Sequence, residues 1–128
     1  MVNYADDMVV DKKEQLEKIA SICLPNETIR AVFDTKGVGT GFIGITDKRI
    51  IYYDKAFLKG KKAMVSIPYT RIAQVASEDN KGFLVRKGPF VSDTLTISPI
   101  GMEPKTFEFR GGDKAHQAHS MIMEYLLE

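Results

Sequence analysis

Leu16, Ile19, Ala20 and Cys23 recur at intervals of three and four, while Lys12, Lys13, Glu14, Glu17 and Lys18 fill the positions around them. A stripe with that period predicts an amphipathic helix, here over residues 6–24, with the stripe buried. Pro25 ends it, because the residue before a proline is pushed out of the α region. Leu16, Ile19, Ala20 and Cys23 are therefore a candidate packing face, turned either onto their own domain or onto another subunit. Cys23 reads as a small core residue on that face.

Beyond Pro25 the period shortens to two. Ile29, Ala31 and Phe33 alternate with Arg30, Val32 and Asp34, which predicts a strand. Residues 42–45 and 50–53 are two more, rich in β-branched and aromatic side chains, joined by the polar turn Thr46-Asp47-Lys48. Ala63, Val65 and Ile67 form a fourth strand ended by Pro68. Residues 72–77 and a short 83–86 follow. Leu95 and Ile97 alternate with Thr94, Thr96 and Ser98, and Phe107 and Phe109 with Thr106 and Glu108. The period then returns to 3.6: Ala115, Ala118, Ile122 and Leu126 share a helical face, and Asp113 after Gly111-Gly112 is placed to cap it.

Short strands without intervening helices predict antiparallel hairpins. The expected fold is mainly β: an antiparallel sandwich or partly open barrel of about seven or eight strands. A C-terminal α-helix caps it and an N-terminal helix is added. Residues 1–26 read as the helical extension and 27–128 as the domain. The 128 residues allow one core. Eighteen basic against seventeen acidic residues leave a net charge of +1, which gives no reason to expect nucleic acid as a partner. One cysteine excludes an internal disulfide or a cysteine-built zinc site, and fits a reducing, cytoplasmic setting. The start of the chain has no basic segment followed by an apolar run, so no signal peptide is expected.

Three stretches carry a family resemblance. Residues 44–51, with Thr46-Asp47-Lys48-Arg49-Ile50, form a T-x-K-R-[LI] hairpin. Residues 66–72 contain Ile67-Pro68-Tyr69 followed by Ile72. Phe107-Glu108-Phe109-Arg110, Asp113 and the last helix make a closing unit. Together they resemble the bacterial pleckstrin-homology-like (bacterial PH domain) family. The resemblance implies a bent antiparallel sheet closed by the last helix. It also implies a non-catalytic module that binds protein, its own copies included, as a homo-oligomer. It implies for Arg49 a fixed hydrogen bond to turn carbonyls or to an acidic neighbour. The phosphoinositide-binding relatives place a lysine at the first strand–loop junction and basic residues on the second strand. Lys36 could serve as the first, but residues 41–46 hold no base. The resemblance therefore carries over the shape without the inositol-phosphate site.

Four features could carry chemistry. Gly39-Thr40-Gly41-Phe42-Ile43-Gly44 matches G-x-G-x-x-G, but it leads into a hairpin, whereas a pyrophosphate needs a helix N-terminus. Its glycines are expected to serve a turn and a bend in the sheet. His116 and His119, one turn apart with Asp113 before them, are expected to be structural or solvated, with no metal. Cys23 on an apolar face is expected to be inert. No enzyme chemistry and no cofactor follow from these residues. The loop at 55–62 offers Lys55, Lys59, Lys61 and Lys62 around Phe57 and Leu58. It is the candidate anionic-ligand or membrane contact, and the basis of an alternative reading as a peripheral anionic-lipid binder.

Overall fold

The structure is a computed structural model describing residues 2–36, 40–56, 61–78, 92–110 and 113–128. Its elements in chain order are β1 (Asn3–Val10), α1 (Lys13–Ile22), β2 (Thr28–Lys36), β3 (Thr40–Thr46), β4 (Arg49–Ala56) and β5 (Lys61–Pro68). A single 3-10 turn, Tyr69–Arg71, leads to β6 (Ile72–Glu78), β7 (Ser92–Pro99), β8 (Lys105–Arg110) and α2 (Lys114–Leu126). The strands lie in the order β5-β4-β3-β2-β8-β7-β6, antiparallel throughout, with β1 added parallel to β2. The sheet curls into a half-barrel, with α2 packed into the concave side.

Each strand of β2, β3 and β4 is apolar on both faces. Ala31, Phe33, Ile43, Ile45, Ile50 and Tyr52 point into the barrel. There they join Leu95, Ile97, Phe107 and Phe109 from the other half of the sheet, and Ala115, Ala118, Met121 and Ile122 from α2. The rings of Phe33 and Phe109, and of Tyr52 and Phe107, meet edge to face at 5.6 and 5.2 Å. Val32, Phe42 and Ile51 point the other way and pack under α1, around the fully buried Ile19. Strands β7 and β8 alternate strictly: their outward residues, such as Thr96, Thr106 and Glu108, face solvent wholly or in part. The small alanines at the start of α2 let the helix lie close to the sheet.

Expectations for both ends of the chain need correction. The helix expected over 6–24 is shorter, because Asn3–Val10 is a strand. Val9 and Val10 pair with Ala31 and Val32, and Val9 packs against the main core, a geometry β-branched residues favour. One strand pair is therefore parallel, and residues 1–26 are not wholly helical. Asp113 precedes α2 with φ +68° and makes no side-chain cap; its carbonyl instead accepts the Gln117 N–H at 3.0 Å. The strand expected at 83–86 lies outside the described residues.

Candidate functional site

The N-terminal segment is bound to the barrel at a polar joint. Asn26 adopts φ +71° and turns the chain after Pro25, which brings the Glu27 side chain, fully buried, against the β3–β4 hairpin. Its carboxylate accepts from Arg49 Nε at 2.9 Å and Nη2 at 3.0 Å, Thr46 Oγ1 at 2.6 Å and the Leu24 N–H at 2.9 Å. Burial opposes ionisation, but these donors win and hold the Glu27 carboxyl at about 2. Arg49 also donates to the Ile22 carbonyl at 2.9 Å, closing the C-terminal end of α1, and to Ser66 Oγ at 3.1 Å. The acidic neighbour expected for Arg49 is thus Glu27, while the carbonyl it reaches lies at the end of α1 and not in the hairpin turn. Tyr69 hydroxyl donates to the Thr46 carbonyl at 2.6 Å, which ties the Ile67-Pro68-Tyr69 stretch to the same hairpin. At the other end Asp11 accepts Lys114 Nζ at 3.0 Å, and Asp34 accepts Gln15 Nε2 at 2.8 Å. These contacts span position 26 on several sides.

The joint also sets the shape of an open seam. β5 and β6 stand at the two ends of the strand order, and the Tyr69–Arg71 turn carries the chain from one to the other. Among the described residues β5 pairs with β4 and β6 with β7, and neither has a second strand partner. Along the free side of β5 runs a cavity of about 750 Å³. One wall is β5 from Val65 to Pro68; the other is the β7–β8 turn, with Ile100 and Met102. Tyr52, Asp54 and Lys105 form the floor, where Lys105 Nζ meets Asp54 at 3.3 Å and sits 5.5 Å above the Tyr52 ring. Arg71 stands where the Ile100 N–H bonds its carbonyl at 2.8 Å, which closes one end. Ile100 and Met102 are 55% and 74% exposed, an unusual state for large apolar side chains. The sequence reading did not single out this groove. Its one local signal was Ile100 and Met102 set in a turn between Pro99 and Pro104.

The singled-out residues fall elsewhere. Leu16, Ile19, Ala20 and Cys23 come together on the outer face of the sheet, with Ile19 buried and the other three partly buried. Burial raises the Cys23 thiol to about 11, with the Glu27 charge adding to it. Phe57, Leu58 and Lys59 lie outside the described residues, as do the side chains of Lys55 and Lys61; Lys62 is exposed at the start of β5. In the glycine run, β3 continues into a hairpin with β4. Gly44 serves close approach there: a Cβ on it would stand 2.9 Å from Ile19 Cδ1. His116 and His119 both turn Nδ1 toward Ser77 Oγ on β6, at 2.8 and 2.7 Å. Among the described residues no group of three metal-ligating side chains forms. None of the described helices is long and apolar enough to cross a membrane.

Comparison with known proteins agrees with this architecture. The family model of the bacterial PH domain matches residues 11–123. A pleckstrin homology domain from Shewanella amazonensis superposes with a TM-score of 0.63 at 23% identity, covering 92% of this chain and 100% of its own. A DUF1696 family protein with a pleckstrin-homology domain, from Shewanella loihica, gives 0.62 at 21% identity, covering 91% and 93%. No curated protein matches the chain.

Proposed function

Since the chain belongs to the bacterial PH domain family, we propose that it is a non-catalytic module that binds protein, with further copies of itself as the first partner. The observation that carries this is the open seam. Two strand edges without a strand partner among the described residues are templates for pairing with another chain. The apolar Ile100 and Met102 beside one of them are what a protein contact would cover.

Sedimentation velocity of the intact chain from 1 to 200 μM, run beside flotation with anionic vesicles, tests the proposal. The expected result is a mass that is a multiple of 14.3 kDa, with marginal vesicle binding at physiological salt. A monomer at every concentration overturns self-association. Tight vesicle binding that salt abolishes, and that is lost when Lys55, Lys59, Lys61 and Lys62 become Gln, would put the anionic-lipid reading first.

A further inference from the structure

We propose that the groove along the free edge of β5 receives an extended peptide segment of a partner protein. That segment is apolar at alternate positions and carries a carboxylate toward Arg71. The inference rests on the protein-binding reading above and adds to it the site and the chemistry of the partner.

The form of the groove specifies the form of its occupant. Val65, Ser66, Ile67 and Pro68 are consecutive, so they alternate between the two faces of the strand. A cavity that touches all four follows the edge of the strand, where backbone N–H and C=O groups point outward. An added strand satisfies those groups at every second residue, whatever its sequence. The opposite wall, Pro99, Ile100 and Met102, is apolar, so side chains of the added strand that turn toward it have an apolar surface to cover.

Charge selects among partners. Among the described residues two cations and two anions line the groove. Lys105 pairs with Asp54 on the floor. Arg71 has no ion pair among the described residues, and it stands at the closed end, where an acidic side chain or a C-terminal carboxylate would meet it. Glu103 stands on the turn that forms the far wall. Arg71 at the closed end, with the apolar wall beside it, suits a peptide that brings one carboxylate and apolar groups.

The test is selection of a phage-displayed random octapeptide library on the intact protein. The best selected peptide is then synthesised and titrated by fluorescence polarisation. Sequences with apolar residues at alternate positions and an acid at one end are expected. I100D/M102D, which changes exposed positions only and keeps the wild-type circular dichroism, should weaken the peptide at least tenfold. R71Q should select peptides without the acid. No enriched pattern, or binding indifferent to I100D/M102D, overturns the proposal. So does an assembly of whole chains that I100D/M102D dissociates while no peptide binds, since a second copy then fills the groove. A monomeric protein that still selects such peptides refutes self-association and leaves this inference standing.

Discussion

Replacing Glu27 by Gln removes one charge from a site where three elements meet, and its effect should depend on pH in a calculable way. In the folded chain the carboxyl is held at about 2, against 4.5 when unfolded. That difference of about 2.5 units corresponds to about 3 kcal/mol of stability at neutral pH. Because the folded value is the lower one, the unfolded chain takes up the proton first on acidification. The contribution is complete above about pH 5.5, declines through 4.5, and is gone below about 2. The amide of Glu27→Gln has a single acceptor oxygen, which can serve Thr46 or Leu24 but not both, since they reach different carboxylate oxygens, and it leaves the Arg49 guanidinium, only 20% exposed, without its counter-charge. At pH 7 the variant should be less stable by about 3 kcal/mol, a shift in urea midpoint of roughly 1–3 M. At pH 3 the gap should shrink to about 1 kcal/mol, because the wild-type carboxyl is then largely protonated on unfolding. Asp34, also held low despite its burial, by Gln15, Lys12 and Arg110, titrates in both proteins and cancels in the difference. Urea unfolding followed by far-ultraviolet circular dichroism at pH 7 and pH 3 measures both gaps. A gap that is equal at the two pH values, or below about 0.5 kcal/mol at pH 7, would refute the reasoning.

Gly44→Ala should destabilise by about 1–3 kcal/mol, because the new Cβ meets three atoms of the buried Ile19 at 2.9–3.1 Å; adding Ile19→Val should recover part of that loss in chemical denaturation. Asp93→Leu should raise the thermal midpoint, since both carboxylate oxygens are buried without a hydrogen-bond partner among the described residues, and a fall would show that the carboxylate is satisfied. Cys23 should react with a disulfide reagent at pH 8 about a hundredfold more slowly than an unperturbed thiol, because a value of about 11 leaves about one thousandth as thiolate; rapid reaction of the native protein would contradict the packing of α1.

The alternation along the chain was enough to place most strands, because residues facing the core are mostly apolar whatever the partner strand is, Asp93 being an exception. Leu95, Ile97, Phe107 and Phe109 are all fully buried, and so are Ala115, Ala118 and Ile122 of the closing helix. The apolar face of α1 was legible for the same reason. What it covers emerged only from the structure: Val32, set with Arg30 and Asp34 on the alternate face of its strand, packs under α1 with Phe42 and Ile51, so this part of the sheet is covered on both faces. β1 was not legible. Its exposed polar residues follow neither period, and its pairing with β2 depends on a parallel neighbour 22 or more residues away.

The T-x-K-R pattern pointed to a fixed role for Arg49, and only the fold decided that Glu27 and the end of α1 receive it, because the contact crosses 22 positions. The groove was likewise beyond the sequence. Tyr52, Val65, Arg71, Ile100 and Lys105 come from three separate stretches, and no period relates them. Local pattern records which side of its own element a residue presents. It does not record which strand edges are left without a neighbour, since that depends on the order in which all the strands are laid together. For this chain the sequence determined the elements and their buried faces, and the tertiary structure alone decided that β5 ends the sheet beside an apolar turn.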